Sequence, residues 1–193
     1  MNVYVESNFV LEHALQQEES QSCDRIIRLA SRGQIKLLMP ALSLAEPHQA
    51  ISAKTKARSR LGEDLRKHLG ELARSKPHRH MPATFDALSA VLIESAQLER
   101  EGVRQTISEL LAVGEVIPLT TAVLRSAVDI EANFGLSGQD AIVLASVLGH
   151  LDRDAPTQSC FLNRNTRDFD DPDIRDRLEA LYACSSEIAH PFR

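Results

Sequence analysis

At 193 residues, with 43% hydrophobic and 25% charged residues, the chain is long enough to bury a substantial core. With 4% aromatic residues and no Trp, a protein that grips single-stranded nucleic acid mainly by base stacking is disfavoured, while the net charge of −5 is neutral on function, because basic residues cluster and acids at a metal site would lower it. Three widely spaced cysteines, Cys23, Cys160 and Cys184, form no C-x-x-C pair, which argues against a disulfide framework or a zinc knuckle and fits a reducing cytoplasm.

The first ten residues, MNVYVESNFV, show neither a basic segment nor a long apolar run, so no signal peptide is expected. No apolar run approaches the ~20 residues needed to span a bilayer. Residues 3–5, Val-Tyr-Val, read as a buried strand with Glu6 at its carboxyl end. Ser7 or Asn8 is expected to cap a helix to about residue 17. A second helix starts at Ser20 or Ser22. Its Cys23, Ile26, Ile27 and Ala30 share one face, and Gly33 stops it.

Residues 35–39 form the next expected strand, closed by Pro40. Ser43 opens a third helix that carries Glu46, with Pro47 in its first turn. From 52 the chain turns basic: Lys54, Lys56, Arg58, Arg60, Arg66, Lys67, Arg74, Lys76 and Arg79 lie in one stretch. A helix over 59–72 has Leu61, Leu65, Leu69 and Leu72 on a face. A Pro-flanked loop with His78 and His80 follows, spaced poorly for zinc, and then a helix over 84–113. The basic stretch reads first as a solvated helix face and second as a place for RNA to dock. Residues 52–113 are therefore expected to be a helical insertion within a single domain spanning 1–193.

The alternation of strand and helix then resumes. Residues 116–119 are a strand. Thr120 or Thr121 caps a helix that Gly135 ends, and Ser137 caps a nearly all-apolar helix with Asp140 in its first turn. Residues 160–162 are a further strand, followed by a polar loop over 163–173, a helix over 174–181 and a short edge strand over 182–184. Short strands alternating with helices predict a three-layer α/β/α fold around a parallel sheet of four to five strands. In such sheets ligands bind beyond the carboxyl ends of the strands. Glu6, Glu46, Asp140 and Asp168 can all converge there. Each acid has a plainer reading: Glu46 and Asp140 would each favour a helix N-terminus, and Glu12 would be solvated surface.

Three blocks resemble the PIN-domain family. They are VYVESNFVLEHAL, MPALSLAEP, and IPLTTAVLRSAVDIEANFGLSGQDAIVLASVL followed by CFLNRNTRDF. The third is the most specific, because order, spacing and residue type agree over roughly fifty positions. The resemblance implies a Mg²⁺- or Mn²⁺-dependent ribonuclease, similar to the VapC-type toxins of toxin–antitoxin pairs. Glu6, Glu46, Asp140 and Asp168 would be metal ligands and catalytic residues, with Asp170 and Asp171 as alternatives for the fourth. Asn8, Asn165 and Thr166 would support them, and Arg164 and Arg167 would contact RNA. An antitoxin, a homodimer (with Ile26, Ile27 and Leu29 as one candidate surface) and a cytoplasmic location follow from the same resemblance. One residue departs from the pattern: Glu6 stands where the family shows Asp, and the extra methylene moves the carboxylate by more than about 1 Å. A catalytically inactive nucleic-acid- or protein-binding module is the alternative reading.

Overall fold

The computed structural model describes residues 1–78, 81–154, 158–163, 174, 178 and 184–188. In chain order its elements are β1 (Asn2–Val5), α1 (Ser7–Ala14), α2 (Ser20–Ser31), β2 (Lys36–Pro40), α3 (Ala41–Leu72), a short 3₁₀ turn (Lys76–His78), α4 (Met81–Val113), β3 (Glu115–Ile117), α5 (Thr121–Phe134), α6 (Gly138–Asp154), β4 (Ser159–Asn163) and β5 (Cys184–Ile188). Two compact units result: Met1–Pro47 with Val103–Arg193, and His48–Gly102.

The first unit is built on one five-stranded sheet of order β3-β2-β1-β4-β5, with every pairing parallel. Its strands are short and apolar on both faces, so alternate side chains enter different cores. Tyr4, Leu38 and Phe161 point into one cluster, with Ile130, Leu144, Leu148 and Leu151 from α5 and α6. Val3, Val5, Leu37, Met39, Cys160 and Leu162 point into the other, with Phe9, Val10, Cys23 and Leu110 from α1, α2 and α4. These two clusters make the predicted three-layer α/β/α arrangement. Burial pushes the Cys23 thiol up to about 12, so this cysteine is an unreactive part of the packing.

The boundaries follow local chemistry. Gly33 and Gly135 take positive φ, at 68° and 64°, after α2 and α5. Thr120 caps α5 by accepting from the Val123 N–H. Three expectations are corrected. The third helix starts at Ala41 and continues unbroken to Leu72, so Pro47 lies beyond the first turn and leaves the Ser43 carbonyl without its helical donor. The helical unit is His48–Gly102 where 52–113 was expected: it begins earlier, and it ends earlier because Val103, Thr106 and Leu110 are buried within the sheet unit. Finally, the last strand, expected over 182–184, is Cys184–Ile188 and pairs with β4; residues 182 and 183 lie outside the described residues. Of the expected last helix, Ile174 and Leu178 are helical and buried, and the rest lies outside the described residues.

The second unit consists of the middle of α3 and most of α4. Arg58 pairs with Glu99 at 2.8 Å, and the Arg66 guanidinium lies 5.3 Å from the centre of the Phe85 ring. The later residue of α3 meets the earlier residue of α4, so the two arms run antiparallel.

At the amino end of the sheet, polar groups are paired. Asn2 donates to Asp154 at 3.0 Å, Lys36 reaches Glu115 at 3.0 Å, and the Tyr4 hydroxyl meets His150 Nδ1 at 2.9 Å. Gly114 joins α4 to β3 where the two touch the sheet. A Cβ there would come within 2.7 Å of Met39 Cε and 3.1 Å of the Leu37 and Leu110 carbonyl oxygens. The methionine tip can move, but the two carbonyls belong to β2 and α4. Gly114→Ala is therefore expected to cost about 1–3 kcal/mol of stability. Urea unfolding of the two proteins measures this, and equal midpoints would show that the junction has slack.

Candidate active site

The sheet order places a topological switch beside β1. The chain runs from β1 outward through β2 and β3, then returns to the other side of β1 as β4. A crevice at such a point, beyond the carboxyl ends of the strands, is where α/β sheets take ligands. Val5 pairs with Leu162, so Glu6 and Asn163 flank this point from adjacent strands. Both are buried, at 6% and 2% exposure.

Glu6 itself caps α1, a role expected for Ser7 or Asn8. Its backbone is extended, and its Oε2 accepts the Asn8 N–H at 3.2 Å. Aspartate, serine and threonine are the usual caps. Here the longer glutamate folds its carboxylate back over the first turn of its own helix. The donor in this cap is the backbone N–H of Asn8, the residue expected to orient Glu6 or a bound water. The Ser7 hydroxyl donates to the same Glu6 Oε2 at 3.2 Å.

Glu46 is half-buried in the second turn of α3. Burial pushes its carboxyl above the usual range, a hydrogen bond with Ser7 draws it down, and the negative charge of Asp140 pushes it up again. Asp140 is held in the first turn of α6 by reciprocal bonds: the Ser137 hydroxyl donates to Oδ2 at 2.5 Å and accepts from the Asp140 N–H at 3.2 Å. The cap expected at Ser137 is present, and it also orients the acid.

Of the four predicted acids, Glu46 is coupled to Asp140, and Glu6 is linked to Glu46 only through Ser7. Ser7 touches Glu6 and Glu46, and Glu46 feels Asp140. Ser7 has one hydroxyl proton for two carboxylates. Asp168 lies outside the described residues, as do Arg164, Asn165, Thr166, Arg167, Asp170 and Asp171. Among the described residues no group of three His, Cys, Asp or Glu is gathered closely enough to hold a metal ion. The donor chemistry of the three acids nevertheless suits one. An all-carboxylate set is the choice of hard cations such as Mg²⁺ and Mn²⁺ rather than zinc.

Sequence reasoning missed Ser7, although a hydroxyl directly after a strand-ending acid was the signal for it. Glu12, expected at the surface, is 4% exposed and accepts the Glu19 N–H at 2.7 Å, which ties α1 to α2. Ile26 and Ile27 pack against the second core cluster, while Leu29 is exposed.

The fold is that of a parallel α/β protein with the buried Glu6 beside the switch point of its sheet. The chain belongs to the PIN-domain family, whose sequence model matches residues 3–169. PIN domains are generally nucleases. No curated protein matches the chain. Among solved structures, that of VapBC2 from Rickettsia felis bound to a DNA fragment from its promoter is similar over 97% of this chain and 98% of that chain, at 9% identity and a TM-score of 0.50. At that identity the likeness is one of fold.

The raised Glu46 carboxyl carries a consequence for stability. The folded state binds this proton more tightly than the unfolded chain, so Glu46 costs stability as pH rises from its ordinary value of 4.5 through its folded value, and the cost is constant above that. In EDTA, Glu46→Gln is expected to gain stability over the parent between pH 4 and pH 7. Urea unfolding at both pH values measures the difference. An equal difference at the two would mean that the carboxylate is fully compensated.

Proposed function

We propose that this PIN domain is a Mg²⁺- or Mn²⁺-dependent endoribonuclease, acting in the cytoplasm as the toxin of a toxin–antitoxin pair. The observation that carries this reading is the coupling of Glu6, Glu46 and Asp140 at the switch point through one serine hydroxyl and one through-space repulsion. Like charges are not collected at a ligand-binding crevice without cost, and a divalent cation is the partner that relieves it. Glu6, Glu46 and Asp140, with Asp168, would hold the ion. When bound, it lowers the pKa of coordinated water and offsets charge building on the phosphodiester. The protein's own part is positional. Ser137 fixes the Asp140 rotamer, Ser7 fixes the separation of Glu6 and Glu46, and the Asn8 N–H anchors Glu6. Asn165 and Thr166 would steady Asp168 or meet a phosphate, and Arg164 and Arg167 would contact the RNA backbone.

The antitoxin part of the proposal is supported by the family and by the similarity in fold to VapBC2. The cytoplasmic part is supported by cysteine usage. Among the described residues no helix is long and apolar enough to cross a membrane.

One observation favours a second reading. Glu6 Oε2 already accepts from Asn8 and Ser7, as expected of a residue whose work is to cap a helix. In that reading the domain binds nucleic acid or protein without cutting. Cleavage of a mixed-sequence single-stranded RNA, with Mn²⁺, with Mg²⁺ and with EDTA, separates the two. Metal-dependent cleavage that falls at least about 100-fold in Asp140→Asn is expected. No cleavage with either metal by well-folded protein would leave the binding module, and calorimetric titration with Mn²⁺ would then show whether the acids hold an ion at all.

A further inference from the structure

A cavity of about 360 Å³ opens between the two arms of the second unit, His48–Gly102. That size lies within the ~300–1,000 Å³ of small-molecule sites. A glycine creates it. Gly62 sits in the interior of α3, where glycine weakens a helix, and a Cβ built there meets nothing within 4 Å. Close approach of the two helices therefore does not require this glycine. Its missing side chain leaves a hollow beside Phe85, Leu92 and Ala96 of α4, which give the cavity its apolar wall.

The hollow opens on one side of the pair. Take Gly62 and Leu92 as the directions in which the arms face each other, with 3.6 residues per turn. Ser59, Glu63, Arg66, Ser89, Ile93 and Arg100, which all line the cavity, are then offset by about 40–100° in one sense. The exposed Leu61, Leu65, Leu72, Leu88, Val91 and Leu98 are offset by about 40–120° in the other sense. In antiparallel helices that face each other, equal offsets of the same sense point to the same side. The exposed apolar rows thus share the side away from the cavity mouth.

Cations gather at the cavity. Residues 48–78 hold eight Lys or Arg against three Asp or Glu, and residues 81–102 hold four acids against one Arg. That one, Arg100, lines the cavity with Arg58 and Arg66, whereas Glu63 is the single acid among the lining residues. Arg58 pairs with Glu99 at 2.8 Å. Arg66 lies 5.3 Å from the centre of the Phe85 ring, and Arg100 gives its Nε–H to the Ala96 carbonyl at 3.0 Å. Neither Arg66 nor Arg100 forms an ion pair among the described residues. The arms set the long axis. Arg58 and Arg100 lie at one end, Arg66 and Phe85 at the other, and the eight residues from 58 to 66 rise about 12 Å.

We propose that this cavity binds a nucleoside phosphate. Guanidinium groups hold phosphate through paired N–H donors, and the Ser59 hydroxyl lies at the same end as Arg58 and Arg100. Arg66 and Phe85 form a flat cationic platform at the far end, on which a base stacks. Glu63, between the two ends, accepts hydrogen bonds from ribose hydroxyls. A bare inorganic anion would leave the apolar wall wet, and an uncharged aromatic would leave Arg100 unused. The site is built from the second unit alone, so it stands whether or not Glu6, Glu46 and Asp140 serve a nuclease.

The test is calorimetric titration of the full chain in EDTA with AMP, GMP, CMP and UMP, with the matching nucleosides and with inorganic phosphate. At least one nucleotide is expected to bind with a Kd of about 100 μM or tighter, and its nucleoside and phosphate at least about tenfold more weakly. Gly62→Leu fills the hollow, and Arg100→Gln removes a phosphate donor. Each is expected to weaken the nucleotide at least about tenfold with an unchanged circular dichroism spectrum. Leu65→Ala, on the opposite side, is expected to stay within about twofold of the parent. A six-nucleotide RNA titrated alongside identifies the source of the nucleotide. Binding no tighter than the mononucleotide points to a free nucleotide, and tighter binding that Gly62→Leu removes points to one unit of an RNA chain. Three results would overturn the proposal: no heat from any nucleotide at about 1 mM, phosphate bound as tightly as the nucleotide, or an affinity unchanged in well-folded Arg100→Gln.

Discussion

A single hydroxyl proton, on Ser7, stands between two carboxylates at the carboxyl end of the central strand. It donates to Glu6 at 3.2 Å and also draws the Glu46 carboxyl down, yet it can serve only one acceptor at a time. Asp140 adds a third negative charge from the start of α6, near enough to push the Glu46 carboxyl up. Two arrangements satisfy such a group. Either a carboxyl keeps a proton at a pH where it would ordinarily have lost it, or a cation enters. The first leaves an inert polar patch, and the second is the basis of phosphodiester chemistry. At Glu46 burial, more than the charge of Asp140, holds the carboxyl above its ordinary range.

Holding these acids together requires a frame that does not yield. β1 provides it by being hydrogen-bonded on both sides and packed on both faces. Tyr4 and Val5 are fully buried, one in each apolar cluster, immediately before Glu6. The two ends of the sheet then differ in electrostatic character. At the amino end opposite charges are matched, with Lys36 between Glu115 and Asp154 and with Asn2 donating to Asp154. Burial also holds the His150 imidazole below its ordinary range, which favours the neutral ring that meets Tyr4. At the carboxyl end charges of one sign gather instead. The matched end stabilises the fold, and the other end carries the carboxylates on which the proposed function rests.

Much of this was legible in the sequence because it rests on local rules. Gly33 and Gly135 mark left-handed turns, Thr120 and Ser137 mark helix starts, and short apolar runs between helices mark a buried parallel sheet. The misses share a different cause. Glu6 was read as a strand-end ligand, and its service as a cap depends on glutamate being long enough to fold back. Glu12 was read as surface, but α2 returns over it and supplies the Glu19 N–H. Pro47 was read as first-turn, because Ser43 looks like a better cap than Ala41 looks like a helix start. For the two glutamates a contact made by a neighbouring element, or the side chain's reach, outweighed the local preference.

The hairpin illustrates the same limit from the other side. Taken one helix at a time, the basic stretch of α3 looks like an ordinary solvated face, and its leucine stripe looks too narrow to matter. A lone hairpin buries one row of side chains per helix against the other, here the row through Gly62, Phe85, Leu92 and Ala96. Any second row stays exposed however well the pair forms. What no single-helix pattern reveals is that the two leftover rows, one on a basic arm and one on an acidic arm, fall on the same side. That coincidence exists only once the arms are paired.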